Sequence, residues 1–236
     1  MKCALNWRSP VMVPFTDIHG LAFDLDGTLV DSAPGLAQAV DLALGELSLP
    51  APGIERVARW IGNGADIMLT RALRWALDAE PEPDLINDAR TFFDKYYAAT
   101  IRQGSKLFPD VSMVLERLAA RGLPMAVVTN KPTAFIAPLL QSLGIAHYFS
   151  LVLGGDDVAQ KKPHPAPLFL VLGTFGLLPE SLLLVGDSRN DILAAQAAGC
   201  PCVGMTYGYN HGEPITDSHP SVVLDHFNQL LPTLGL

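Results

Sequence analysis

The stretch Phe23-Asp24-Leu25-Asp26-Gly27-Thr28-Leu29-Val30 decides how the rest of the chain is read. It follows a short apolar run, Ile18 to Phe23, that reads as a buried strand of a parallel sheet. Where that strand should end, two carboxylates stand at i and i+2. In extended backbone such positions point to one side, so Asp24 and Asp26 can face one point in space. Gly27 then lets the chain turn in a conformation that other residues resist. Taken bare, Asp-x-Asp-Gly is also an ordinary solvated turn. The remainder of the chain has to separate the two readings.

After Val30 the apolar period lengthens from that of a strand to that of a helix. Ser32 and Pro34 mark a helix start, and Leu36, Val40, Ala43 and Leu47 recur at helical spacing up to Leu49-Pro50. A short helix is expected over Ile54 to Ile61. The loop Gly62-Asn63-Gly64 leads to a periodic segment with Ile67, Leu73 and Leu77. Beyond Pro81 and Pro83 another helix carries Leu85, Ala89, Phe92, Tyr96 and Ile101. From Pro109 onward helices alternate with strands at Met125–Val128, Phe149–Leu153, Leu182–Val185 and Cys202–Met205, and Val222–Leu224 adds a last short one. Repeated βα units predict a Rossmann-like parallel sheet with helices on both faces. The fold class is therefore α/β, with a small all-helical cap domain inserted after the first strand. The expected division is a leader at residues 1–16, a core at 17–31 and 106–236, and a cap at 32–105.

Composition narrows the partners. Of 236 residues, 49% are hydrophobic and 17% charged, and the net charge is -8 with no basic tract. Nucleic acid and anionic membrane surfaces are held mainly by Lys and Arg, so neither is expected as a partner. No apolar run approaches the roughly 20 residues of a membrane helix. Prolines and polar residues interrupt residues 1–16, which do not read as a secretory signal. Cys3, Cys200 and Cys202 fit neither a disulfide framework nor a Cys-x-x-Cys site, and a reducing, cytoplasmic setting suits them. The expected assembly is a monomer or weak dimer.

In open α/β sheets ligands bind at the carboxyl ends of the strands, and here the polar residues gather there. The first strand ends in Asp24 and Asp26, and Met125–Val128 ends in Thr129-Asn130-Lys131. Phe149–Leu153 is followed by Gly154-Gly155-Asp156-Asp157 and then Lys161-Lys162-Pro163-His164-Pro165. Leu182–Val185 ends in Gly186-Asp187-Ser188-Arg189-Asn190-Asp191. Four such ends look like one convergent site. Two carboxylates about 4 Å apart repel by ~4 kcal/mol at an effective dielectric near 20. Converging Asp24, Asp26, Asp187 and Asp191 therefore need protons or a cation. The donors are hard oxygens without a Cys or His cluster, which points to Mg²⁺. Such an ion with Lys162 would make a locally positive hole for an anionic substrate.

Asp24-x-Asp26-Gly27-Thr28-Leu29, Thr129, Lys162-Pro163 and Gly186-Asp187-x-x-x-Asp191 resemble the four motifs of the haloacid dehalogenase-like superfamily, in order. The helical insert resembles that superfamily's cap. A closer similarity, to the bacterial phosphoglycolate phosphatases, lies in Trp60-Ile61-Gly62-Asn63-Gly64, Val128-Thr129-Asn130-Lys131-Pro132 and Lys161-Lys162-Pro163-His164-Pro165. Thr206-Tyr207-Gly208-Tyr209-Asn210 belongs to it as well. The resemblance implies an Mg²⁺-dependent phosphatase of a small phosphorylated acid, most simply 2-phosphoglycolate. Asp24 would be the nucleophile and Asp26 the general acid and base. Thr129, Asn130 and Lys162 would hold the phosphoryl oxygens. The metal would lie on Asp24, the Asp26 carbonyl and Asp187, with Asp191 in support or as a ligand.

Plainer roles stand beside these. Thr129 also reads as a strand-end hydroxyl and Asp191 as a helix N-terminal charge. Lys161 reads as a solvated neighbour, His164 as structural and Trp60 as cap core. The backbone amides of Gly62-Asn63-Gly64 are better placed to approach a small anion. Within the same fold, a sugar-phosphate phosphatase or a phosphomutase is the alternative. A dehalogenase would leave Asp26 without an alkoxide to protonate. A non-catalytic phospholigand-binding module would be favoured by loss of Asp24, Asp26, Lys162 or Asp187, and all four are present.

Overall fold

Gly20–Phe23 forms the first strand, β1, and its four residues are fully buried, as expected for a strand covered on both faces. The structure is a computed structural model that describes residues 15–236. The leader expected at residues 1–16 therefore lies outside the described residues except at its last two positions, as does Cys3. Strand β1 begins two residues later than expected, because Ile18 is only half-buried and the ladder starts at Gly20.

Two further residues, Val30–Asp31, form β2. Four helices follow: α1 (Ala33–Glu46), α2 (Ile54–Ala58), α3 (Ala65–Leu77) and α4 (Pro83–Thr100). Lys106–Leu107 then forms β3 and pairs antiparallel with β2, Val30 opposite Leu107 and Asp31 opposite Lys106. This ribbon at the base of the helical insert was not expected. Helix α2 is shorter than expected, since the turn begins at Arg59.

The rest of the chain follows the βα alternation. Its elements are α5 (Val111–Ala120), β4 (Met125–Val128), α6 (Ile136–Ser142), β5 (Leu151–Leu153), α7 (Ala166–Phe175), β6 (Leu182–Gly186), α8 (Arg189–Ala198), β7 (Cys202–Met205), β8 (Val222–Leu224) and α9 (Leu230–Thr233). Strand β5 is shorter than expected because residues 146–148 form a 3-10 turn that delays the ladder. Six strands make one sheet in the order β5-β4-β1-β6-β7-β8, and every pairing in it is parallel.

Strand period 2 divides the core between two faces. Leu21 and Phe23 of β1 belong to one buried cluster with Val114, Leu115 and Leu118 of α5 and Leu139 and Leu140 of α6. Ala22, between them, joins Leu168 and Val171 of α7 and Ile192 and Ala195 of α8 on the other side. The chain crosses from β1 to β4 and β5 on one flank and returns to β6 on the other. Strand β1 is thus the switch point, where crevices open at the carboxyl ends of the strands. Helices α1–α4, the cap, sit over that end. Among the described residues no helix is long and apolar enough to cross a membrane. Cys200 and Cys202 are free and buried.

Candidate active site

Three neighbouring strands deliver the acids and their partners. In the register, Phe23 lies beside Val127 and Val185, so Asp24, Thr129 and Asp187 leave the sheet at nearly one level. Asp24, Asp187 and Asp191 are buried, and each offers an oxygen within 4.8 Å of the others. Lys162, on the loop after β5, reaches in with Nζ 2.8 Å from Asp24 Oδ1, 2.6 Å from Asp191 Oδ1 and 2.6 Å from the Val128 carbonyl.

Each acid is held by donors from elsewhere in the chain. Asp187 accepts from Thr28 Oγ1 at 2.8 Å and from the Tyr209 N–H at 2.7 Å. The backbone crowds closely around it. A Cβ on Gly27, which adopts φ +94°, would stand 2.3 Å from Asp187 Oδ2, and one on Gly208 would stand 2.1 Å from the Asp187 Cβ. Only glycine leaves room at these two positions. Asp191 opens α8: its Oδ2 accepts from the Ser188 N–H at 3.0 Å and the Ser188 hydroxyl at 2.7 Å. Asp191 therefore caps a helix and braces Lys162 with its other oxygen.

The charges do not balance. With all three carboxylates ionised, the one ammonium, paired with Asp24 and Asp191, would leave an excess of two negative charges. Burial, opposed by Lys162 and reinforced by Asp191, pushes the Asp24 carboxyl up to about 6. Burial and the neighbouring Asp24 and Asp191 push the Asp187 carboxyl well above the ordinary range. Burial works against the Lys162 ammonium, yet Asp191 and Asp24 outweigh it and hold it above the usual lysine range. Buried groups in this condition take up protons or bind a cation. The all-oxygen donor set suits a hard divalent ion and not zinc or copper. The residues present therefore fit the metal that the sequence implied.

Asp26 takes a different direction. Its carboxylate lies outside the acid cluster and accepts from Lys131 Nζ at 2.9 Å on both oxygens. Asp24 and Asp26 nonetheless line one cleft, together with Thr129, Asn130 and Lys131. Leu36, Ile61, Met68 and Phe93 of the cap line its other side. Gly62 and Gly64 also line it, whereas Asn63 does not. The Gly62 carbonyl accepts from Asn130 Nδ2 at 2.9 Å and from Asn190 Nδ2 at 3.2 Å, which fastens the cap loop to the core. Asn130 Nδ2 also donates to the Lys162 carbonyl at 2.8 Å. Thr129 Oγ1 accepts from the Lys131 N–H at 3.3 Å.

The plainer readings sort themselves by place. His164 is exposed and accepts from the Ala166 N–H at 3.1 Å, a local turn contact. Trp60 is half-buried against Trp75, ring centroids 6.5 Å apart. Lys161 is partly buried, its Nζ 3.4 Å from where a Cβ on Gly64 would stand. Sequence reasoning gave no role to Lys131, Thr28, Tyr97, Asn190 or Tyr209. Lys131 had one available signal, a lysine at a strand tip facing more acids than Lys162 alone can pair. Tyr209 has a second task, its hydroxyl accepting from the Ser32 and Ala33 N–H groups at 3.0 Å where the cap begins.

Relatives of known description share this architecture. A phosphoglycolate phosphatase of Yersinia pseudotuberculosis is 62% identical over 225 residues, 95% of this chain and 97% of the relative. One from Photorhabdus laumondii is 63% identical over 219 residues, 93% of each chain. Among solved structures, a predicted phosphoglycolate phosphatase from Haemophilus somnus superposes with a TM-score of 0.89 at 45% identity, covering 92% of this chain and 98% of that one. CbbY from Rhodobacter sphaeroides, solved in complex with phosphate, superposes with a TM-score of 0.79 at 25% identity, covering 93% and 100%. A family model for haloacid dehalogenase-like hydrolases matches residues 21–205. With its acids on adjacent strand tips under a helical cap, the chain belongs to the haloacid dehalogenase-like hydrolases.

Proposed function

We propose that the protein is an Mg²⁺-dependent phosphatase that hydrolyses 2-phosphoglycolate to glycolate and phosphate. The observation that carries this reading is the placement of Asp24 in the cleft, flanked by Lys162 and by an acid cluster short of positive charge. The relatives' descriptions point to the same substrate. The division into a core of residues 17–31 and 106–236 and a cap of 32–105 is part of this proposal, with the β2–β3 ribbon as its hinge. So are a cytoplasmic setting, a monomeric or weakly dimeric state, and the absence of nucleic acid and membrane partners.

Asp24 attacks phosphorus, and the bond from phosphorus to the ester oxygen breaks as the Asp24 oxygen bonds to phosphorus. Asp26, once it has taken a proton from solvent on an oxygen released by Lys131, gives that proton to the departing alkoxide. It then takes a proton from the water that attacks the phosphorus of the aspartyl-phosphate. Lys162 and the Thr129 hydroxyl offer donors to the phosphoryl oxygens as charge spreads over them, and Asn130 holds the loops that carry them. Asp24, the Asp26 carbonyl and Asp187 would hold Mg²⁺, with Asp191 behind them bracing Lys162. When bound, the ion supplies neutralising charge that lets an anionic ester approach ionised Asp24.

The test is steady-state kcat/KM of the Mg²⁺-loaded protein on 2-phosphoglycolate, sugar monophosphates and nucleoside monophosphates. The expected preference for phosphoglycolate is at least about 100-fold, the scale that matched polar contacts supply. A flat profile would remove the substrate and keep the reaction. Conversion of a sugar phosphate to its positional isomer without phosphate release would favour the mutase instead.

A further inference from the structure

Lys131 is buried, and all three of its ammonium donors are used. Two go to the carboxylate oxygens of Asp26, each at 2.9 Å, and the third to the Tyr97 hydroxyl at 2.6 Å. The same ammonium stands 4.7 Å over the Tyr97 ring. Asp26 and Lys131 belong to the core, but Tyr97 lies in the last turn of α4, in the cap. Its ring is fully buried, stacked on Phe93 of the same helix at 5.2 Å and edge-on to Phe135 of the core at 5.0 Å. A chain of contacts thus runs from the cap through one saturated ammonium to the carboxylate assigned to proton transfer.

Two simpler roles for Lys131 are available. It could contact the substrate's carboxylate, since it lines the cleft. It could also be a structural ion pair with no bearing on the reaction. The first would require Lys131 to exchange one of three existing partners, as Lys162 must, so the choice between them rests on the ester series below. The second leaves unexplained why the third partner comes from the cap. An ammonium held bidentately has little rotational freedom, and so does the carboxylate it grips. Withdrawing the cap would take away the hydroxyl and the ring face together, loosening that grip.

We propose that Lys131 is a positioning residue for Asp26, and that Tyr97 completes its setting only when the cap is shut, so that the proton donor is aimed once the substrate is enclosed. The inference rests on the reading of Asp26 as general acid. It requires no contact between Lys131 and the substrate.

Leaving-group dependence tests it. A departing alkoxide needs a proton, whereas 4-nitrophenolate leaves as a stable anion, so a misaimed acid slows alkyl esters selectively. The probes are 2-phosphoglycolate, ethyl phosphate and 4-nitrophenyl phosphate. The readout is kcat/KM, which stops at formation of the aspartyl-phosphate. Lys131→Met is expected to lose about 100-fold or more on both alkyl esters and at least about tenfold less on the aryl ester. Tyr97→Phe keeps the ring packing and is expected to show the same pattern at about 3- to 10-fold. In an Asp26→Asn background, Lys131→Met should add little on alkyl esters, because the two act as one unit.

Equal losses on all three esters would make Lys131 merely structural. A loss confined to phosphoglycolate would make it a substrate contact. Either result overturns the proposal, as does an unaffected Tyr97→Phe should Lys131→Met fail to fold. If Asp26→Asn shows the leaving-group pattern and Lys131→Met does not, the positioning role alone falls. If Asp26→Asn lacks the pattern, the acid assignment falls first and the positioning role with it.

Discussion

Asp24→Asn is expected to abolish turnover, by at least about 10⁴-fold in kcat, while the protein keeps its fold and a melting temperature no lower than before. The loss in rate follows from chemistry: an amide does not form the acyl-phosphate bond, and removal of a nucleophile is among the largest single effects known in enzymes. The preserved fold follows from electrostatics. Asp24 is buried beside Asp191 and Asp187, and its carboxyl is pushed up to about 6 mainly by that burial. Replacing it with an isosteric neutral group removes one of three crowded charges and leaves an oxygen to accept from Lys162 Nζ at 2.8 Å. Steady-state kinetics and thermal denaturation read the two halves separately. Retained turnover would take the nucleophile role from Asp24.

The opposite imbalance arises at Lys162. Lys162→Met is expected to destabilise the metal-free protein by about 3–5 kcal/mol, because it strands buried carboxylates that shared one cation. For a chain of this length that is a fall in melting temperature on the order of 10 °C. Turnover should drop by about 10³-fold or more, since a charged donor to the phosphoryl group is lost along with the brace between Asp24 and Asp191. The sign distinguishes this variant from Asp24→Asn: both lose activity, but only the lysine variant loses stability. Unchanged melting with lost activity would mean that Asp24 and Asp191 are compensated by some other group.

The reaction centre was legible because its parts are local. Asp24 and Asp26 follow a four-residue buried strand, and Asp187 at a strand end stands four residues before Asp191 in the first turn of a helix, a spacing that sequence displays directly. The strands Met125–Val128, Cys202–Met205 and Val222–Leu224 are as expected, since apolar runs of that length have few other uses. The ribbon at the cap's base was not legible. Two residues at 30–31 and two at 106–107 carry no period, and only tertiary closure pairs them. Sequence singled out Lys162 for the phosphoryl group and read Lys161 as a solvated neighbour, but it gave Lys131 no task. Lys131, Lys161 and Lys162 all follow strand ends, yet one grips Asp26, one abuts the cap loop and one joins Asp24 to Asp191. Tyr97 gave no hint of its contact either, because the apolar period was read through Phe92 and Tyr96 and its hydroxyl meets a residue 34 positions away.

Thermal denaturation with and without Mg²⁺, at pH 7.5 and pH 5, tests most directly whether these acids are gathered for a cation. The Asp24 carboxyl is raised from 3.8 to about 6, so the folded protein holds that proton more tightly than the unfolded chain does. Burial of the ionised group is therefore a penalty above about pH 6, and it fades as pH falls through that value. Mg²⁺ takes the proton's place, so its stabilisation is greatest where the acids are ionised. At free Mg²⁺ about 100-fold above its Kd, the melting temperature at pH 7.5 should rise by about 5–10 °C. At pH 5 the rise should be markedly smaller, and Asp187→Asn should remove most of it at either pH. Equal melting with and without the ion at both pH values, or an undiminished rise in Asp187→Asn, would contradict the account.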